Sequence, residues 1–234
     1  QLFQNRLNFT VDYQYRENDP MLIRIDLPSS TGATSAPMNI GATRNQSISA
    51  SATVYIFKQR DLNWYVSTNI SHYKTKYYNI GNTLEKYNEE GRANSTLLRM
   101  YDGASTSALY VVRSAGIDPA TGNEIFIRKD GTYTFEWNAD DEVLYGDSTP
   151  DVQGNINTSF TWKDFYWGAS FSYRLGAEVQ LSTLLNKVEN ISSDQRKWNQ
   201  DVRALTDRWQ KPGDIAKFKR IDDTSTTRMS SRFI

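Results

Sequence analysis

Cysteine is absent from these 234 residues. That excludes a disulfide scaffold and a thiolate metal site. It also suits a chain that crosses an oxidising periplasm without forming disulfides. Histidine is nearly absent too, with His72 alone. A histidine-based triad would have to use it, and no second imidazole exists for a multi-histidine zinc site. Net charge is missing as well, since 27 basic residues balance 27 acidic ones. There is then no bulk electrostatic case for nucleic acid or for acidic substrates. No long apolar run occurs, so no transmembrane helix is expected. No basic, apolar and small leader pattern follows Gln1, and both ends read as cut from a longer protein.

What is plentiful is aromatic: 14 tyrosines, 10 phenylalanines and 6 tryptophans, in a chain only 38% hydrophobic. Such rings need either a compact core or a membrane girdle. The sequence pattern favours the second. Period-two alternation dominates. Leu7, Phe9, Val11, Tyr13 and Tyr15 share one face of a first strand, with Asn8, Thr10, Asp12, Gln14 and Arg16 on the other. Ile48, Ala50, Ala52, Val54 and Ile56 oppose Ser47, Ser49, Ser51, Thr53 and Tyr55. Trp64, Val66, Thr68 and Ile70 follow, then Ile156, Thr158, Phe160 and Trp162, then Phe165, Trp167, Ala169, Phe171 and Tyr173. Strands are expected near 6–16, 44–57, 63–78, 152–162 and 165–174. Each is long enough for a tilted strand to cross a bilayer, about twice the usual length in soluble domains. The second face is small and polar with few charges, as a hydrated lumen would be.

The connections alternate in length. Lys58–Asn63 and Lys163-Asp164 are short, whereas 17–43, 79–151 and 175–234 are long. Short periplasmic turns and long extracellular loops are the arrangement of an outer-membrane barrel. The fold class read from this pattern is all-β: part of a transmembrane antiparallel β-barrel of about five long strands. Its long extracellular loops carry a hairpin and short helices. Ala108–Gly116 and Glu124–Lys129 flank the turn Asp118-Pro119-Ala120-Thr121-Gly122, which predicts the hairpin. Leu181, Leu184, Leu185 and Val188 fall at helical spacing. Ser192 with Gln195 forms a capping box, and Trp198, Val202, Leu205 and Trp209 then share a helix face that Pro212-Gly213 stops.

Catalytic chemistry finds little support. Asp140-Asp141-Glu142 are adjacent and cannot flank a glycosidic bond from two sides, so they read as a solvated loop. Asp147, Asp151, Asp222 and Asp223 lack calcium-loop spacing. No cofactor or metal is expected, and His72 reads as an interfacial residue near a strand end. Asn94-Ser95-Thr96 is a chance sequon in a bacterial barrel. Trp64, Trp162, Phe165 and Trp167 lie beside the short links and are expected to form the periplasmic aromatic belt. Tyr133, Trp137, Tyr145, Trp198 and Trp209 lie in the long loops as candidates for contact with cargo or a partner protein. For Trp198 and Trp209, packing under the loop is the competing reading.

The loops also carry a family resemblance. Leu27-Pro28-Ser29-Ser30-Thr31-Gly32, followed by Pro37-Met38-Asn39-Ile40-Gly41, resembles a loop of SusC/RagA TonB-linked outer-membrane proteins. So do the stretches Val112–Phe126, Tyr145–Pro150, Asp207–Asp214 and Thr227–Phe233, in order along the chain. The resemblance implies part of a barrel of about 22 strands in the outer membrane of Bacteroidetes. It implies import of oligosaccharides or peptides, a SusD-like surface lipoprotein as partner, and TonB engaged through an N-terminal region this chain lacks. The plug domain is likewise expected to be missing. Two rivals remain open on sequence. One is a soluble β-sandwich carbohydrate-binding or adhesin-type module. The other is a glycoside hydrolase fragment.

Overall fold

The computed structural model of the chain describes residues 3–27, 29–81, 83–93 and 97–222. The chain divides into two compact units. The first comprises Gln1–Tyr87, Met100–Ser107 and Asp147–Ala177, and the second Asn88–Arg99, Ala108–Gly146 and Glu178–Ile234.

The alternating stretches of the first unit become one antiparallel sheet. Its strands are β1 (Leu7–Asn18), β4 (Ala42–Lys58), β5 (Leu62–Tyr78), β11 (Val152–Trp162) and β12 (Phe165–Leu175), hydrogen-bonded in that order. The hairpin β2 (Leu22–Asp26) and β3 (Ser35–Asn39) fills the connection from β1 to β4. Strands of 12, 17, 17, 11 and 11 residues follow from period-two alternation with no interior proline. Tight links join β4 to β5 and β11 to β12. The second uses Lys163 at φ 51°, a left-handed turn position.

One departure from the expected pattern lies in β4. The register steps from Tyr55↔Tyr65 to Phe57↔Trp64, so Ile56 is an extra, unpaired residue. This β-bulge turns the strand over by one residue. Phe57, not Ile56, therefore joins the Trp64 face. The apolar run Tyr55-Ile56-Phe57 already breaks the alternation in the sequence.

A small core of this unit gathers Ile23, Ile40, Tyr77, Ile80 and Leu84, with Met21, Ile25 and Met100 against it. Gly41 makes its approach possible. At φ 61°, a Cβ there would lie 2.9 Å from both Ile80 Cγ1 and the Tyr78 carbonyl.

The second unit holds β6 (Ala108–Val111), β7 (Arg113–Ile117), β8 (Glu124–Ile127), β9 (Tyr133–Thr134) and β10 (Val143–Asp147). β7, β8 and β9 form one sheet, and β10 pairs with β6. The nine-residue helix α1 (Glu85–Ala93) lies between β5 and β6. The Leu181–Val188 pattern becomes a short turn, α2 (Ser182–Leu184), and a π-helical turn at Leu185–Glu189. Leu185 and Val188 are buried.

The helix expected beyond Ser192 is a correction. Only a 3₁₀ turn at Gln195–Lys197 and α3 (Arg203–Thr206) form. The capping box itself is made, with Gln195 N donating to Ser192 Oγ at 3.3 Å and Ser192 N to Gln195 Oε1 at 3.4 Å. Trp198 is nevertheless extended (φ −107°, ψ 169°). Asp201 then takes the Arg203 amide at 2.9 Å and restarts the chain locally. Side-chain bonds of this kind compete with helix propagation.

Candidate functional site

Register aligns whole rows of the first unit's sheet. Phe9, Ala52, Thr68, Ile156 and Phe171 lie side by side across all five strands. Leu7, Val54, Val66, Thr158 and Ala169 form the next row, and Val11, Ala50, Ile70, Gly154 and Tyr173 the one beyond. The opposite face aligns Thr10, Ser51, Asn69, Asn155 and Ser172, beside Asn8, Thr53, Ser67, Asn157 and Ser170. One face is therefore hydrocarbon and the other hydroxyl and amide, row after row. The polar side is internally bonded: Asn45 Nδ2 donates to Thr75 Oγ1 at 2.7 Å and Ser170 Oγ to Asn157 Oδ1 at 2.6 Å.

The apolar face is not covered. Phe9 is 60% exposed and Phe171 64%, and Val11, Ile48, Val54, Ile70 and Ile156 are exposed as well. In a water-soluble sandwich this face would be the packed interior. Patches of this size are rare on soluble monomers.

At one end of the same face the aromatics gather. Phe160 pairs with Trp64 on one side and Trp167 on the other, and Trp162 pairs with Phe165. Trp64 and Phe160 rings meet edge-on at 6.4 Å, Phe160 and Phe165 at 6.5 Å, and Phe57 stacks on Trp64 at 6.2 Å. Trp64 Nε1–H donates to Thr158 Oγ1 at 3.0 Å. All four tryptophans and phenylalanines singled out from sequence share this face and this end. Phe57 and Phe160 join them. Phe57 was hidden by the bulge.

The loop candidates scatter. Tyr133 (69% exposed) and Trp198 (76%) stand in solvent, and Tyr145 is partly exposed. Trp137 packs against Val112 and Phe126. Trp209 lies on Gly122, where a Cβ would strike the indole, and its Nε1–H donates to the Pro119 carbonyl at 2.9 Å. Trp198, Val202 and Leu205 are exposed together rather than packed beneath the loop, because the helix that would have turned them inward does not form.

The Trp209 contact joins two of the stretches that carry the family resemblance. Gly213 N donates to the Pro119 carbonyl at 2.8 Å and Arg220 N to the Gly122 carbonyl at 3.0 Å. The turn itself is held by Asp118, which accepts from Thr121 Oγ1 at 2.6 Å and from the amides of Ala120 and Thr121. The Thr121 hydroxyl bond foremost holds the Asp118 carboxyl below its usual range. Arg208, buried, donates to the carbonyls of Ala204, Lys219, Val188 and Glu189 at 2.7 to 2.9 Å. Its guanidinium thereby ties three loop segments.

Glu142 is a second correction. Instead of lying in a solvated loop, it is buried and accepts from Arg99 at 2.6 Å. Asp141 accepts from the Lys129 amide at 3.2 Å. His72 is exposed, with Nδ1–H donating to the Asp151 carbonyl at 2.6 Å. Asp147 accepts from Ser107 Oγ at 2.5 Å, and Asp222 from Arg220. Among the described residues no cluster of three or more metal-ligating side chains forms. The stretch Thr227–Phe233, Asp223 and Asn94–Thr96 lie outside the described residues.

No family model matches the chain. Two curated proteins of Formosa agariphila are similar to it. TonB-dependent receptor P3 is 26% identical over 204 residues, 79% of this chain and 20% of its own length. TonB-dependent receptor P39 is 20% identical over 94% of this chain and 25% of its own. The chain thus spans a quarter or less of these relatives. Among solved structures, a chain of the RagAB peptide transporter superimposes with a TM-score of 0.75 at 21% identity. The match covers 99% of this chain and 26% of that one. The RagAB peptide importer in its closed-closed state gives 0.67 at 23% identity, over 93% and 25%. The mostly β architecture is therefore shared with RagAB, and the relatives are receptors and transporters rather than enzymes. The resemblance drawn from the loop stretches is shown: this chain is similar in sequence to TonB-dependent receptors, and in fold to part of a SusC/RagA-type outer-membrane protein.

Proposed function

We propose that this chain is a stretch of the wall and mouth of a TonB-dependent outer-membrane importer. One observation carries the reading. A five-stranded antiparallel sheet with strands of membrane-crossing length leaves its hydrocarbon rows exposed and ends them in an aromatic row. Lipid is the solvent that makes such a face favourable. In hydrocarbon every backbone polar group needs a partner, so the two outer strands must continue into a closed barrel. The hydroxyl and amide face then borders a water-filled lumen. The short links and their aromatic row, Trp64, Trp162, Phe165 and Trp167, face the periplasm. The segments 17–43, 79–151 and 175–234 face outward.

The resemblance supports two partners: a SusD-like surface lipoprotein over the mouth, and TonB acting on another part of the protein. The cargo is an oligosaccharide or a peptide, and RagAB is itself a peptide transporter. Of the loop aromatics, Tyr133, Trp198 and Tyr145 are the exposed ones and are the candidates to meet cargo or lipoprotein. Trp137 and Trp209 hold the loops together.

Charge substitution tests the reading. In the full-length protein, Val54→Arg or Phe171→Arg should cost about 2–4 kcal/mol near the bilayer midplane and lower the yield of heat-modifiable barrel in outer membranes. Ser51→Arg, on the other face of the same strand as Val54, should assemble normally. Equal loss from both faces would overturn the assignment.

A further inference from the structure

The apolar face changes character at the end far from the aromatic row. Beyond Tyr13, Ile48 and His72 comes a row of Tyr15, Gln46 and Lys74, then one of Glu17, Arg44 and Lys76. Period two on β5 sets His72, Lys74 and Lys76 on this face, and Tyr73, Thr75 and Tyr77 on the other. The same holds on β4, where Arg44 faces this way and Thr43, Asn45 and Ser47 face the lumen side. Every cation in the outer halves of these two strands thus lies on the face read as lipid-facing.

These cations are arranged around a hollow of 330 Å³, with Tyr13 and Tyr78 also lining it. The Arg44 guanidinium lies 4.1 Å over the Tyr78 ring and donates to Glu17 at 3.1 Å. Glu17 is therefore engaged by Arg44. Asp147 accepts from Ser107 Oγ and keeps its negative charge within reach of Lys74. Arg44, Lys74 and Lys76 thus set three positive charges against these two acids, one more than they match.

Height fixes what they can meet. A strand rises about 3.4 Å per residue and tilts by roughly 40° in such a barrel. Lys74, ten positions from Trp64, then stands about 26 Å above the aromatic row, and Lys76 about 31 Å. The apolar band of an outer-membrane barrel is about 25 Å tall. The cations sit where hydrocarbon gives way to headgroups on the outer side.

We propose that this hollow binds the phosphorylated headgroup of the outer leaflet's glycolipid. Lys74 and Lys76 meet the phosphate, with Arg44 beside them. Tyr13 and Tyr78 lie against sugar and the first acyl methylenes, the amphipathic position aromatic rings favour at an interface. The proposal rests on the membrane reading above.

The test uses the full-length protein in lipid nanodiscs. Binding of phosphorylated lipid A, of the same lipid after dephosphorylation, and of phosphatidylglycerol is measured by native mass spectrometry. Wild type should prefer phosphorylated lipid A over both others. Lys74→Gln/Lys76→Gln should weaken that binding by roughly thirtyfold, the loss of two lysines near an anionic surface. Lys58→Gln/Lys163→Gln, at the short-turn rim, should leave it unchanged. Equal affinity for the dephosphorylated lipid, equal affinity for phosphatidylglycerol, or no effect of the double variant would each overturn the proposal. Heat-modifiable mobility of both variants reports the barrel separately. A protein that is a normal barrel yet indifferent to phosphate refutes only the headgroup site. One that never enters a membrane refutes the reading beneath it.

Discussion

Gly122 sits at φ 73° with the Trp209 indole pressed against its α-carbon, and so meets two demands at once. A side chain there would strain the backbone and unseat the ring. Gly32 shares the same φ of 73° but has open space around it. Gly122→Ala should therefore cost more than Gly32→Ala, whose penalty is backbone strain alone, roughly 1–3 kcal/mol. Faster hydrogen exchange at the Gly122 and Arg220 amides, which close the turn and its dock, would report the difference. The buried Arg99–Glu142 pair poses a second residue-scale test. Removing one partner breaks this buried ion pair, at about 3–5 kcal/mol. Glu142→Ala should lower the temperature at which the loops become protease-sensitive, and Arg99→Met/Glu142→Leu should recover most of the loss. Equal sensitivity of the single and double variants would show that the pair is not what matters there. Nothing in the sequence pointed to this pair. Arg99 and Glu142 are 43 positions apart, and Glu142 sits in an acidic run that looks solvated.

Elements were legible to different degrees, for a physical reason. Alternation names the face a residue occupies, and a sheet built from such faces needs no further information to align its rows. Leu7 to Tyr15 and Ile156 to Trp162 therefore stand in the sheet as the pattern implied. Periodicity does not name partners. The dock of Trp209 on Pro119 and Gly122, and the four carbonyls gathered by Arg208, join segments far apart in the chain. The helix expected from Ser192 to Trp209 failed for a local reason, since Asp201 captured the Arg203 amide. The bulge at Ile56 offers a sharp element-scale test. Deleting Ile56 would bring Tyr55 and Phe57 into consecutive regular pairs with Tyr65 and Trp64. The shortened protein should assemble. Deleting Ala52 instead shifts part of β4 by one residue and sends its apolar side chains to the polar face. That variant should lose heat-modifiable barrel in outer membranes. Assembly of both, or of neither, would contradict the register.

For the molecule as a whole, everything turns on which solvent wets each face of the five-stranded sheet. The exposed rows from Phe9 to Trp167 fit lipid, and the Ser, Thr and Asn rows water. A soluble sandwich would need a second layer over the hydrocarbon rows. Among the described residues those rows are instead left exposed. The most direct measurement is a nitroxide scan of β4 from Gln46 to Phe57 in the full-length protein in bilayers. Collisions with oxygen, which concentrates in lipid, are compared with collisions with a water-soluble nickel chelate. Positions 48, 50, 52 and 54 should be high for oxygen, and 47, 49, 51 and 53 high for nickel. The phase should invert across Ile56, so that position 57 rejoins the oxygen set. If the even positions were shielded from both reagents, or if all positions met nickel alike, the sheet would not be a membrane wall.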